Sequence, residues 1–174
     1  MTTFPTEKAK KIRLFILDVD GVLTSGRVYY GPNQLRLLDF HVHDGLGMKL
    51  LQRSGVELAI ITARSSDALT ERMQELGVTH VFQNQHNKLT AYESLKEKLS
   101  LTDAEIAYVG DDLTDLALLK RVGFSATVAN APKILQEHVD WITSCAGGSG
   151  AVRELCEAIM HAQNTLTPLL HSFL

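Results

Sequence analysis

Cysteine is scarce in this 174-residue chain, which has only Cys145 and Cys156. Two thiols without a CxxC spacing cannot build the disulfide framework of a small secreted domain, and they suit a reducing compartment. Long apolar runs are missing as well: none approaches the roughly 20 residues that span a bilayer. The opening MTTFPTEKAKK has no apolar signal core. A cytoplasmic location and no membrane partner are therefore expected. Positive charge is not in excess, and a net charge of -3 gives no reason to expect nucleic acid. The small cluster KAKK, Lys8 to Lys11, reads as a solvated lead-in to the first strand. Neither an internal repeat nor a low-complexity tract is present. What remains is 45% hydrophobic and 21% charged, an ordinary globule with enough chain for a single domain over residues 1–174.

Apolar runs alternate with amphipathic segments. IRLFIL (Ile12 to Leu17), ELAIIT (Glu57 to Thr62), HVF around Val81, IAYVG (Ile106 to Gly110), FSATV (Phe124 to Val128) and WIT at Trp141 read as short buried strands. Helical patterns fill the gaps at Gly45 to Arg53, Ser66 to Leu76, Asn87 to Leu99, Asp112 to Arg121 and Pro132 to His138. Thr102 with Glu105 makes a capping box for a single turn. Gly55, Gly77 and Gly123 each stand where a helix ends and a strand follows. This order implies an α/β fold, a Rossmann-like parallel sheet with helices on both faces. One segment breaks it: GRVYYGPNQLRLLDFHVHDG has two β-rich stretches around the turn signal GPN, and predicts a β-hairpin over about 26–43 that projects from the sheet edge. No interval between these elements has room for a separately folded insertion. The final stretch, about 150–174, is an amphipathic helix with Val152, Leu155, Cys156, Ile159 and Met160 on one face. Pro168 is expected to end that helix, leaving PLLHSFL as an apolar tail with two open readings: a frayed end or patch docked on its own subunit, or a mobile lid near a neighbour's active site.

LFILDVDGVLT sets Asp18 and Asp20 at the end of a buried strand, where like charges repel and resist desolvation. An exposed turn is the plain alternative. The other strands argue against it, because they too end on polar groups. ELAIIT ends at Thr62, IAYVG runs into Asp111 and Asp112 with Asp115 one turn on, and Lys88 opens a helix. In a parallel sheet these groups converge at the strand carboxyl ends. Carboxylates gathered there need a cation, and an all-oxygen set suits Mg²⁺. A metal beside a carboxylate, a hydroxyl and a lysine suits a phosphoryl group, with Asp18 as nucleophile and Asp20 as proton donor and later base.

DVDGVLT, IITAR, Lys88 and VGDDLTD resemble, in order, the four motifs of the haloacid dehalogenase superfamily of phosphatases. That resemblance implies an aspartyl-phosphate on Asp18, acid–base catalysis by Asp20, and phosphate binding by Thr62 and Lys88. It also implies a metal held by Asp18, the Asp20 backbone carbonyl and Asp111, with Asp112 and Asp115 supporting. DGVLTSGRVYYG, HDGLGMKLL, NKLTAYESL, YVGDDLTDLALL and AGGSGAVRELCE further resemble the KDO 8-phosphate (3-deoxy-D-manno-octulosonate 8-phosphate) phosphatase family of lipopolysaccharide biosynthesis, over about Ile12 to Gln163. The family's members are capless, Mg²⁺-dependent homotetramers closed through their hairpins. By position, the resemblance assigns a phosphorylated sugar acid to Asp20, His41, His43, Asp44, Gly45, Lys49, Thr62, Ala63, Arg64, Arg72 and Lys88.

Three departures sit near the substrate. His43 stands where an arginine is common, Asn84 where glycine is usual, and Ser149 where a basic residue is frequent. Asparagine tolerates left-handed geometry, so the turn at Asn84 survives. His41 and His43 fall at alternate positions of the second hairpin strand and share a face, but no third ligand has local zinc spacing. Three other readings stay open: a phosphatase for a nine-carbon keto-sugar acid, a receiver-type signalling module, and a non-catalytic tetramerisation domain.

Overall fold

The computed structural model describes residues 3–32 and 36–173. Its sheet has six strands: β1 (Leu14–Leu17), β4 (Glu57–Ile61), β5 (His80–Phe82), β6 (Ile106–Gly110), β7 (Phe124–Thr127) and β8 (Trp141–Ile142). They lie in the order β5-β4-β1-β6-β7-β8, and every pairing is parallel. All four β1 residues and all five of β6 are buried, which is why these strands read as unbroken apolar runs. The chain winds outward from β1 to β5 and then returns to β6. The reversal falls between β1 and β6, where open α/β sheets place their ligands.

Helices α2 (Val42–Arg53), α3 (Asp67–Leu76) and α7 (Ala151–Ala162) pack together on one face, while α4 (Lys88–Leu99) and α5 (Leu116–Leu119) pack on the other. Short helices α1 (Thr6–Ala9), α6 (Lys133–Gln136) and α8 (Leu166–Leu170) complete the set. The hairpin is a separate two-stranded antiparallel ribbon, β2 (Tyr29–Tyr30) with β3 (Arg36–Leu37). Of its GPN turn signal, Asn33 lies outside the described residues.

Several expectations are corrected. The basic lead-in at Lys8 to Lys11 contains the end of α1, whose Ala9 is buried and whose Lys8 pairs with Asp140. α2 starts three residues earlier than its pattern suggested, so His41 is its N-cap and His43 lies in its first turn. The two histidines are therefore not strand neighbours, although their rings do meet edge to face at 5.1 Å. Gly123 does not have the left-handed φ of Gly55 and Gly77; a Cβ there would lie 2.6 Å from the Ala104 backbone, so close packing explains it. Pro168 does not end a helix but sits in the first turn of α8, where its missing N–H costs nothing. The tail docks on its own chain, one of the two readings left open for it: Arg53 at the end of α2 donates to Ser172 and faces the Phe173 ring. Arg53 leads into the start of β4, so within this chain the tail lies at the opposite end from the strand carboxyl ends.

Candidate active site

β1 and β6 run side by side, with Leu14 opposite Ile106 and Leu17 opposite Val109. This register brings Asp18 and Asp111, the residues just beyond each strand, to the same edge. Between them the chain turns sharply at Gly21, whose φ is +76° and where a Cβ would stand 1.9 Å from an Asp111 carboxylate oxygen. Only glycine leaves room for that carboxylate. Thr24 closes the same loop, accepting from the Gly21 and Gly26 N–H groups and donating to the Val19 carbonyl.

Lys88, at the start of α4, reaches under this edge. Its ammonium lies 2.8 Å from Asp18 Oδ2 and 2.6 Å from Asp115 Oδ1, and donates to the Tyr108 hydroxyl at 3.2 Å. Tyr108 in turn donates to Asp115 Oδ1 at 2.6 Å. The other Asp115 oxygen accepts from the backbone N–H groups of Asp111 and Asp112 at 3.0 and 3.1 Å. Asp115 is 0% exposed, and with these partners its acceptor capacity is used inside the protein. Asp112 lies at the surface and caps the following turn by accepting from Leu113 N–H.

Carboxylate oxygens of Asp18, Asp111 and Asp115 all lie within 4.8 Å of one another, with a single ammonium among them. Burial and the Asp115 charge push the Asp18 carboxyl up to about 6 in spite of Lys88. Burial and the charges of Asp18 and Asp115 drive Asp111 up to about 7. Burial opposes the charge on Lys88, but Asp18 and Asp115 outweigh it and hold the ammonium above its ordinary value. The site is short of positive charge. A hard divalent cation fits a floor of three carboxylates and one ammonium.

Above this floor, Asp20 pairs with Arg64 at 3.0 Å. The Thr62 side chain at the end of β4 is 1% exposed and accepts from Arg64 N–H. Ala63 is the half-buried link between them. Asn84 holds a left-handed φ of 57°, and its N–H donates to the Arg64 carbonyl, so the asparagine does keep the turn. Thr62, Arg64 and Asp20 all face a cavity of about 640 Å³ roofed by the hairpin.

Other expected substrate residues stand elsewhere in this chain. Asp44 is 1% exposed and turned away from the cavity, because its carboxylate accepts from the N–H groups of Arg153 at 2.7 Å and Gly150 at 3.4 Å. It caps α7, whose own Gly150 offers no side chain, and burial raises its carboxyl. Gly45 is buried where a Cβ would meet the Arg72 guanidinium at 2.4 Å. Arg72 itself pairs with Glu75. His41 lies 4.0 Å from Asp44, and His43 and Lys49 are exposed on α2. None of these six lines the cavity over Asp20.

Tyr108 went unnoticed in the sequence. The available signal was a lone hydroxyl in the otherwise apolar IAYVG strand, since a buried tyrosine hydroxyl requires a partner. Burial holds it un-ionised, well above the ordinary phenol range.

Residues 74–155 match the family of haloacid dehalogenase-like hydrolases. The 3-deoxy-D-manno-octulosonate 8-phosphate phosphatase KdsC of Escherichia coli is 46% identical over 159 residues, 91% of this chain and 85% of that protein. The phosphatase of the same name from Moraxella catarrhalis, solved with magnesium, phosphate and KDO, is 43% identical with a TM-score of 0.95 and covers 97% of each chain. A cobalt-bound form of the Haemophilus influenzae phosphatase is 38% identical with a TM-score of 0.87, over 90% of this chain and 92% of that one.

Proposed function

The chain belongs to the 3-deoxy-D-manno-octulosonate 8-phosphate phosphatase family of haloacid dehalogenase-like hydrolases, and on that premise we propose that it is a Mg²⁺-dependent phosphomonoesterase. Its substrate is 3-deoxy-D-manno-octulosonate 8-phosphate, and its products are KDO and inorganic phosphate, a step of lipopolysaccharide biosynthesis. The observation that carries this reading is the meeting of Asp18, Asp111, Asp115 and Lys88, from three separate stretches of sequence, at one sheet edge.

Asp18 attacks phosphorus in line through a carboxylate oxygen, and the bond from phosphorus to the ester oxygen breaks. Asp20, at the cavity floor, gives its proton to that departing oxygen. In the second half Asp20 takes a proton from water, the water oxygen bonds to phosphorus, and the acyl-phosphate bond to Asp18 breaks to free phosphate. Lys88 and Thr62 hold the phosphoryl oxygens, and Asp115 with Tyr108 fixes the position of the Lys88 ammonium. Mg²⁺ held by Asp18, Asp111 and the Asp20 carbonyl supplies charge neutralisation at those oxygens.

We also assign the enzyme to the cytoplasm, in keeping with its two free thiols, and to a homotetramer closed through the hairpins. Tyr29, Tyr30 and Leu37 are 43%, 78% and 56% exposed, an apolar surface that a lone hairpin leaves in water. Phosphate release across eight-carbon and nine-carbon phosphorylated sugar acids, with and without Mg²⁺, tests the function. Preference for the nine-carbon ester would reassign the substrate, and turnover that survives exhaustive chelation would remove the metal.

A further inference from the structure

The cavity over Asp20 has two kinds of wall. Its floor is Val19, Asp20 and Thr62 at the strand ends, with Arg64 and the start of α3 on one side. The hairpin supplies Arg27, Val28, Arg36, Leu37 and Leu38 opposite. Asp20 and Arg64 satisfy each other. Among the described residues, neither Arg27 nor Arg36 has a carboxylate within salt-bridge distance, although both line the same space. The Arg36 guanidinium is stacked 6.0 Å over the Tyr30 ring, which restrains the fork without using its donors.

An ester whose phosphoryl group sits at Asp18 must send its organic moiety out past Asp20 into this cavity. That moiety therefore meets a pair of guanidiniums on the hairpin side and the carboxylates of Asp67 and Glu71 on the α3 side. Carboxylates accept hydrogen bonds from sugar hydroxyls, whereas guanidinium forks match a carboxylate group. The Ser66 N-cap makes no side-chain bond to the first turn of α3, so N–H groups on that side also remain available to an oxygen-rich ligand. The wall chemistry matches a polyhydroxylated acid better than a neutral sugar.

We propose that Arg27 and Arg36 form a carboxylate clamp on the hairpin, reading the acid group of the substrate while Asp18 holds its phosphoryl end. This assignment rests on the phosphatase reading above and adds to it the residues that tell a sugar acid from a plain sugar phosphate. The hairpin is then a wall of the active site as well as a surface for assembly.

The test compares kcat/KM for 3-deoxy-D-manno-octulosonate 8-phosphate with that for a hexose 6-phosphate, which lacks the carboxyl group. It uses the full chain and the variants Arg27→Gln, Arg36→Gln and Arg36→Lys. The ratio of the two values should fall about tenfold or more in each Gln variant, the usual worth of a hydrogen bond to a charged group. It should fall in Arg36→Lys as well, because a lysine keeps the charge but loses the fork. Light scattering on the same samples reports assembly. A ratio that stays constant, or that falls only in samples whose oligomer has dissociated, overturns the clamp. If the unsubstituted protein hydrolyses neither ester, the phosphatase reading fails first and the clamp goes with it. If it hydrolyses the sugar acid ester and the ratio is unmoved, the clamp alone is wrong.

Discussion

The floor of the site and its hairpin roof are built on opposite terms. Below Asp20, Asp115 is fully enclosed and every one of its oxygens has a donor, while Lys88 touches two carboxylates and a phenol. Above it, the hairpin strands are two residues long, their side chains are exposed, and two arginines lack carboxylate partners among the described residues. Where every acceptor is met from within, as at Asp115, the network fixes its own geometry. A hairpin with open edges takes its final form from what it meets. On the readings proposed above, the phosphoryl chemistry belongs to the floor, and the clamp and the assembly surface belong to the roof.

The contrast can be broken most severely at Asp18. Asp18→Asn should reduce turnover by about four orders of magnitude or more while the fold survives, since an amide cannot attack phosphorus. Robust steady-state phosphate release by that variant would dismiss the nucleophile. Lys88→Met comes next: it leaves Asp18 and Asp115 buried without their cation and should cost roughly 3–5 kcal/mol of stability in urea unfolding, besides the loss of activity. A loss under about 1 kcal/mol would mean that the floor does not depend on this ammonium.

Metal supplies a smaller effect on the same floor. Mg²⁺ at about a hundred times its dissociation constant should stabilise the protein by about 2.7 kcal/mol, seen as a rise in melting temperature. Asp111→Ala should abolish that rise. Tyr108→Phe removes one hydroxyl from the network and should cost about 1–2 kcal/mol. The roof gives the least: Tyr30→Glu should change folding stability by no more than about 0.5 kcal/mol. Its effect should appear as dissociation in light scattering, and an intact oligomer would show that the hairpin is not the assembly surface.

The floor was the more legible of the two regions. Apolar runs ending on Asp18, Thr62 and Asp111 reveal both a strand and its functional end, because burial on both faces leaves no alternation to misread. The α2 side was misread for a tertiary reason. HVHD alternates in polarity like a strand, yet Asp44 turns inward to cap α7 more than a hundred residues later, and no local pattern announces that. Lys49 is exposed on α2 and Arg72 pairs with Glu75, placements that no local pattern announces either. Pro168 and Gly123 are each compatible with two local structures, and packing decided between them.

The Asp44 cap also has a consequence for how the molecule is made. Its carboxylate and the N–H of Arg153 are 109 residues apart in sequence, a distance that takes roughly 5–20 s to synthesise at about 5–20 residues per second. Through that interval α2 has emerged without the helix it packs against, and Asp44 accepts from water alone. A nascent chain therefore carries an uncovered apolar face on α2 until its C-terminal helix leaves the ribosome. Messages cut short before Arg153 should yield products that chaperones retain and proteases remove, because they lack almost all of α7 and the apolar face it lays on α2.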